Sequence, residues 1–96
     1  MKFRMTIQDA FYIAGRGMVV TGCLNGEVKM GDAATLTNKD GTVSDAFLIS
    51  GLEYDHKLFD SLNSLDYGEP ICIGVLLRTR SEYEKSYFIG KTIVVR

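Results

Sequence analysis

Short apolar segments with a period of two, separated by turn residues, run through the whole 96-residue chain. Alternation of this kind is typical of β-strands with one face buried. Ten glycines accompany a single proline, and glycine permits the backbone conformations that tight turns require. The alternation predicts strands over about residues 3–14, 18–24, 34–36, 42–54, 71–77 and 89–95. In the first of these, one phase of the alternation carries Phe3, Met5, Ile7, Phe11 and Ile13.

Turn signals between these segments predict how the strands connect. Asn25-Gly26 predicts a two-residue β-hairpin, because both central positions of a type I′ turn need positive φ. Leu58, Leu62 and Leu65 are spaced for one or two helical turns rather than for a strand. A closed antiparallel barrel leaves no strand edge exposed, and we therefore expect an all-β chain of this size to form one. Residues 1–96 have room for a single domain with a single core.

Composition and missing motifs exclude several classes of function. Hydrophobic residues make up 46% of the chain and charged residues 24%, as in an ordinary globular protein. The net charge is −1, whereas domains that bind nucleic acid through phosphates alone are usually basic. Any contact with RNA must therefore be local, or be supported by a neighbouring domain. No Gly-x-x-x-x-Gly-Lys-Ser/Thr run is present, so the chain has no nucleotide-binding P-loop and is not a GTPase.

The remaining reactive side chains give no sign of catalysis. Cys23 and Cys72 lie in apolar runs, which favours buried thiols over a disulfide and agrees with a reducing cytoplasm. The lone histidine, His56, has no second histidine or suitably spaced cysteine, so we expect no metal site. We find no plausible catalytic set, and expect neither enzymatic activity nor a cofactor. No segment is typical of a signal peptide or a transmembrane helix, so we expect no membrane partner.

One run of residues is highly specific. Residues 9–22 read Asp-Ala-Phe-Tyr-Ile-Ala-Gly-Arg-Gly-Met-Val-Val-Thr-Gly. This run resembles the opening of the second domain of translational GTPases of the elongation factor Tu and elongation factor one alpha type, which include the selenocysteine factor. Further blocks of the same domain follow in the expected order, so that the resemblance extends from about Phe3 to Val95: residues 28–32, 51–53, 57–58, 73–78 and 90–93.

The resemblance implies a fold and a binding site. The family's second domain is a six-stranded closed antiparallel Greek-key barrel of cytoplasmic translation factors, present here without the GTP-binding domain. It holds the aminoacylated 3′ end of tRNA, and in several relatives it also contacts ribosomal RNA. By position, the implied pocket for the terminal adenosine consists of Ile13, Gly15, Val19, Glu53 and Leu76. A purine needs an apolar slot, and a carboxylate accepts a hydrogen bond from a ribose 2′-hydroxyl.

Secondary candidates lie around that pocket, and each has a structural alternative. These secondary candidates are Asp9, Arg16, Gly17 and Arg78. Gly15-Arg16-Gly17 either approaches an RNA backbone closely or only forms a tight turn. Asp9 either faces a ligand or marks a β-bulge and bonds nearby backbone amides. Glu53 either contacts a ligand or is a solvated carboxylate at the end of a strand, and Arg78 belongs either to a basic edge or to scattered surface charge.

The sequence departs from the family pattern close to the implied pocket. Gln8 replaces an acidic residue, His56 replaces an arginine, and Cys72 aligns with an asparagine that contacts the amino-acid part. Two functions therefore remain open. The first is a binding module for the 3′ end of tRNA or for ribosomal RNA, working with a GTP-binding or other translation-factor domain in cis or in trans. The second is a protein-interaction or structural barrel whose RNA site has drifted. The sequence fits either a short gene product or one domain of a longer protein.

Overall fold

The computed structural model describes residues 2–96, and strands account for more than half of them. Two single turns of 3₁₀ helix, Ser64–Asp66 and Lys85–Tyr87, are the helical segments in this described range. The strands in chain order are β1 (Phe3–Thr6), β2 (Asp9–Ile13), β3 (Gly17–Cys23), β4 (Glu27–Lys29), β5 (Ala33–Thr37), β6 (Val43–Tyr54), β7 (Lys57–Phe59), β8 (Ser61–Asn63), β9 (Cys72–Leu77) and β10 (Thr92–Val95).

The main sheet is antiparallel, with the strand order β1-β10-β5-β6-β9-β3-β2. The short strand β7 pairs with β6, while β4 and β8 form a separate two-stranded ladder. Side chains from both halves of the main sheet enter one hydrophobic cluster, so the sheet curls around a single core. The largest fully buried side chains in that core include Phe3, Met5, Met18, Leu36, Ile49, Leu52, Leu77, Phe88 and Ile93. The all-β prediction is confirmed.

The predicted six-stranded closed barrel is wrong in its closure and its strand count. Across residues 2–96 the end strands β1 and β2 share no ladder of hydrogen bonds, so the sheet stays open. The outer edge of β1 instead meets the segment that follows β3. Phe3 forms an isolated bridge with Gly26, and the Arg4 amide donates to the Asn25 carbonyl at 3.0 Å. These contacts cover part of the edge without joining the two ends of the sheet.

The strand predicted over residues 3–14 is interrupted at Ile7 and Gln8, where the backbone changes partners. The Ile7 amide donates to the Lys91 carbonyl at 2.9 Å, and the Gln8 amide donates to the Thr21 carbonyl at 2.8 Å. Before the break β1 pairs with β10, and after it β2 pairs with β3. The break also reverses the phase of burial, because odd-numbered side chains point inward in β1 but outward in β2.

Two further local predictions are wrong. Asn25-Gly26 does not form a hairpin, since β4 pairs with β8 and only Gly26 of the two residues has positive φ, at 99°. Position 26 requires glycine because the Lys2 backbone passes close to it: an added Cβ would lie 3.1 Å from the Lys2 carbonyl carbon. The leucines predicted to be helical lie in strands at Leu58 and Leu62, and only Leu65 lies in a 3₁₀ turn.

The two-residue hairpin turn of this sheet is formed by Asp55-His56, between β6 and β7. Both residues are left-handed, with φ of 53° and 61°, and Tyr54 pairs with Lys57 across the turn. Positive φ at both central positions is the type I′ conformation that usually selects Asn-Gly. A left-handed backbone is unfavourable for residues with a side chain, although aspartate and histidine tolerate it better than most.

Replacing Asp55-His56 by Asn-Gly is therefore expected to raise the free energy of unfolding by about 0.5–1 kcal/mol, since it relieves this backbone strain. Urea denaturation of the variant and the wild type measures the difference. The single variant His56→Ala keeps the strain and serves as the control with no expected gain. A double variant less stable than the wild type would show that these side chains contribute more than the turn conformation does.

Candidate functional site

Four of the five implied pocket positions lie on the outward face of four neighbouring strands: β2, β3, β9 and β6. The register places Phe11 opposite Val19, Val19 opposite Leu76, and Leu76 opposite Gly51. These residues form one row across the sheet because directly opposed residues project from the same face. Their side chains give that row an apolar surface, interrupted only at Gly51.

A second row runs parallel to the first, two residues further along each strand. Here Asp9 pairs with Thr21, Thr21 with Gly74, Gly74 with Glu53, and Glu53 with Leu58 on β7. This row is polar at Thr21 and acidic at Asp9 and Glu53, whose side chains are exposed. An apolar row and a row that carries two carboxylates therefore lie side by side.

Two glycines open a hollow between the rows. At Gly74, an added Cβ would make ordinary contacts with Val19 Cγ1 at 3.5 Å and with the Glu53 Cβ at 3.8 Å, so the glycine leaves room there for a Cβ that it lacks. At Gly51, an added Cβ would lie 3.2 Å from the Leu76 Cβ, which is a tight contact. The resulting hollow has a volume of about 180 Å³. It is lined by Phe11, Ile13, Arg16, Val19, Gly51, Leu52, Glu53, Leu58, Gly74 and Leu76.

Four of the five implied adenosine-pocket residues meet in this hollow. Ile13, Val19, Glu53 and Leu76 come from four different strands, and all line it. Gly15 does not line it. It lies in the turn between β2 and β3 with φ of 79°, and a Cβ added there would meet open space. Gly15 is thus explained by the turn it forms.

The secondary candidates separate into one that lines the hollow and others that do not. Arg16 lines the hollow and is its cationic residue. Gly17 is buried and outside the lining, with φ of 137°, and a Cβ there would overlap the backbone of β9. Arg78 is exposed just after β9 and lies outside the lining.

Asp9 is positioned by contacts of its own, outside the lining. Its Oδ1 accepts a hydrogen bond from the Ala10 amide at 2.8 Å and lies 3.9 Å from the Lys85 ammonium. Both partners of this ion pair are largely exposed to solvent, so the pair adds little stability. The structure therefore favours the backbone-bonding alternative for Asp9 over the ligand-facing one.

The departures from the family pattern lie together at one end of the hollow. His56 and Cys72 line an adjoining depression of about 230 Å³ that also includes Phe11, Val19 and Glu53. Gln8 is nearby, and its Nε2 donates a hydrogen bond to the Cys23 sulfur at 3.8 Å. These departures from the family pattern therefore change the surface beside the hollow and leave the apolar row unchanged.

The prediction that both thiols are buried is wrong. Cys23 and Cys72 are free and exposed. Their strands carry apolar side chains on both phases, but only one phase of each faces the core. The two cysteines occupy the other phase at the end of the β3–β9 ladder, where no further layer covers them.

Five lining residues were not among the site candidates from the sequence: Phe11, Gly51, Leu52, Leu58 and Gly74. Phe11 and Leu58 border the hollow with 49% and 77% of their surface exposed. Phe11 follows the apolar phase of β1 in the sequence and was therefore expected in the core, but the break at Gln8 turns it outward. Leu58 was expected in a helical turn. Large exposed apolar side chains beside a hollow indicate a binding surface.

Neither a metal-binding cluster nor a membrane-spanning helix is found in the described part of the chain. Within residues 2–96, no cluster of three or more histidine, cysteine, aspartate or glutamate side chains is placed to hold a metal ion. The same residues contain no helix with the length and apolar character needed to cross a membrane.

The open antiparallel sheet and its strand order define an all-β fold. Among solved structures, the bacterial selenocysteine-specific elongation factor matches 98% of this chain with a TM-score of 0.70 and 22% sequence identity. The chain spans 14% of the length of that protein. No family model matches the sequence. The resemblance first identified from the motifs is thereby confirmed at the level of the fold.

Proposed function

We propose that this chain is a binding module of the translation apparatus that holds the 3′-terminal adenosine of an RNA, either tRNA or ribosomal RNA. The observation that carries the proposal is the convergence of Ile13, Val19 and Leu76 with the Glu53 carboxylate in one outward hollow. The similarity of fold to a selenocysteine-specific elongation factor supports the same context.

The size of the hollow suits one base and little more. Ordinary small-molecule pockets have volumes of roughly 300–1,000 Å³, whereas this hollow measures about 180 Å³. A purine ring placed there would contact Phe11 and the apolar row and leave its other face in solvent. Stacking of a base on an aromatic ring contributes about 1–3 kcal/mol. A single terminal nucleotide therefore binds weakly, and the remaining affinity has to come from neighbouring domains.

The charged side chains around the hollow are suited to different parts of a nucleotide. Glu53 accepts a hydrogen bond from a ribose 2′-hydroxyl, the group by which a protein tells RNA from DNA. Arg16, also part of the lining, is suited to the adjoining phosphate. With a net charge of −1 for the chain, one arginine gives only a small electrostatic contribution. The proposed contact is thus local and stereochemical.

In this proposal the module acts by binding and not by catalysis, and it functions in the cytoplasm. It requires neither a cofactor nor a metal ion. A GTP-binding domain, or another translation-factor domain, supplies the remaining RNA contacts in cis or in trans. The supporting observations are the missing P-loop motif and the 14% of the elongation factor's length that the chain spans.

Glu53→Ala is expected to weaken binding of an RNA oligonucleotide ending in CCA about tenfold, because a hydrogen bond to a charged group contributes about 1.5–3 kcal/mol. A 2′-deoxy substitution at the terminal adenosine of the oligonucleotide removes the other partner of the same bond. The two changes together should therefore weaken binding no more than either does alone.

Titration at low salt, followed by NMR, gives the four affinities of this cycle. Arg80→Ala, an exposed substitution outside the hollow, is the matched control. Additive losses from Glu53→Ala and the deoxy end would show that Glu53 does not contact the 2′-hydroxyl, and equal affinity of wild type and Glu53→Ala would contradict the proposal.

A second candidate function is a protein-interaction domain whose RNA site has drifted. The exposure of Leu58, at 77%, and of Phe11, at 49%, together with the net charge of −1, favours it. Affinity capture from a cell extract with and without RNase separates the two functions. A protein retained after RNase treatment and lost on Leu58→Asp supports this candidate, and recovery of RNA alone counts against it.

A further inference from the structure

Cys23 and Cys72 are directly opposed residues of the antiparallel strands β3 and β9. The next pair outward, Leu24 and Ile71, is joined by a hydrogen bond from the Leu24 amide to the Ile71 carbonyl at 2.9 Å. Hydrogen-bonded and non-hydrogen-bonded pairs alternate along an antiparallel ladder, so the two cysteines form a non-hydrogen-bonded pair. In such pairs the Cα atoms are about 4.5 Å apart, at the short end of the roughly 4.4–6.8 Å that disulfides span.

Both sulfurs are accessible to a reagent from solvent. The two thiols are free and exposed, and they project from the same face of the sheet. Gln8 Nε2 donates a hydrogen bond to the Cys23 sulfur at 3.8 Å. A thiolate is the reactive form of cysteine. Whichever thiol reacts first, the other lies directly opposite it across the ladder, in position to follow.

We propose that Cys23 and Cys72 form a reversible cross-strand disulfide, a redox modification site at one end of the hollow. With a peroxide as oxidant, one thiolate of the pair attacks one peroxide oxygen, the O–O bond breaks, and a sulfenic acid and one water are formed. The opposite thiolate then attacks that sulfur and displaces hydroxide, which leaves as a second water. The two thiols lose two hydrogens, and the peroxide is reduced to two waters. A dithiol reductant restores both thiols.

Exposure makes this disulfide accessible to reductants. Both cysteines lie at the surface of the protein. Exposed disulfides have more oxidising potentials than buried structural ones and are labile. This behaviour is typical of a redox-responsive site rather than of a permanent structural disulfide.

Oxidation also changes the depression that adjoins the hollow, a second step that rests on the proposed function. Cys72 lines the depression that includes Phe11, Val19 and Glu53, whereas Cys23 is outside it. The disulfide draws the Cys72 sulfur toward Cys23, away from that wall. We expect affinity for a CCA-ended oligonucleotide to fall about fivefold, at the low end of ordinary coupling between two sites. By the same linkage, bound RNA makes the disulfide easier to reduce.

The disulfide itself is tested by equilibrating the 96-residue chain with mixtures of reduced and oxidised glutathione, and separately with hydrogen peroxide. Free thiols are then alkylated and the mass of the monomer is measured. The expected product is a monomer that lacks two hydrogens and takes up no alkylating reagent. Its Tm should rise by on the order of 10 °C relative to the reduced protein, because the cross-link restricts the unfolded chain. Both thiols remaining open to alkylation, or disulfides only between chains, would overturn the proposal.

The second step is tested by comparing the reduced and oxidised proteins in the oligonucleotide titration. Cys23→Ser, which lies outside the hollow, should bind like the reduced wild type and be unaffected by oxidant. Equal affinities of the reduced and oxidised wild type would overturn the second step and leave the disulfide standing. Failure of the reduced protein to bind would instead overturn the proposed function, and with it the second step, while the mass measurement still decides the disulfide.

Discussion

Gly17→Ala is expected to lower the free energy of unfolding by about 3–4 kcal/mol, whereas Gly15→Ala lowers it by only about 1 kcal/mol. Gly17 opens β3 with φ of 137°, and a Cβ there would overlap the Leu77 carbonyl oxygen and lie 2.9 Å from the Thr79 amide nitrogen. Both groups belong to the backbone, so no side-chain rotation relieves the overlap. The adjacent end of the β3–β9 ladder would have to move.

Gly15 is the matched control because it shares only one of these features. It has φ of 79°, so a side chain there is strained, but nothing lies within 4 Å of an added Cβ. Urea denaturation of the two variants measures the difference. Similar losses for both would show that backbone conformation, and not close approach to β9, is what requires Gly17. Since Gly15 lies outside the lining of the hollow, Gly15→Ala should also retain the oligonucleotide binding of the wild type.

Gly74→Val is expected to weaken oligonucleotide binding at least about tenfold while changing the free energy of unfolding by less than about 1 kcal/mol. The Cβ of valine would make ordinary contacts with Val19 Cγ1 at 3.5 Å and with the Glu53 Cβ at 3.8 Å. The backbone of Gly74 is not in the left-handed region, and a β-branched residue suits a strand. The added methyl groups would therefore occupy the space proposed for the base without disturbing the sheet.

The control for this variant is Gly68→Val, at a glycine outside the hollow with nothing within 4 Å of its added Cβ. Circular dichroism and urea denaturation confirm that both variants fold, and titration gives their affinities. A Gly74→Val variant that is folded and binds as well as the wild type would place the RNA contact elsewhere on the molecule.

The sequence predicts most elements of this sheet because they are local. Strand β3 and the long strand β6 both follow from the alternation of apolar residues. Four residues from separate strands that line the hollow were placed together by the resemblance to a known family, and not by any pattern within one strand. Such a resemblance carries information about long-range contacts that periodicity lacks.

The predictions that fail depend on which strands pair. Alternation over residues 3–14 is continuous in the sequence, yet β1 pairs with β10 and β2 with β3, so the inward phase changes at Gln8. Phe11 consequently faces the hollow instead of the core. Asn25-Gly26 has the composition of a hairpin turn, but the partner of β4 is β8, which lies far along the chain. A local pattern does not specify a distant partner, and each of these errors follows from that.

The central claim is that a terminal adenosine binds in the hollow between β2, β3, β9 and β6. The most direct test is an NMR titration of the isotope-labelled chain with a short RNA ending in CCA, read residue by residue. We predict that the amide shifts concentrate at Phe11, Val19, Glu53 and Gly74, and that removal of the terminal adenosine from the RNA abolishes them. An RNA-induced pattern centred on the opposite side of the sheet, or no shifts at all at low salt, would contradict the claim.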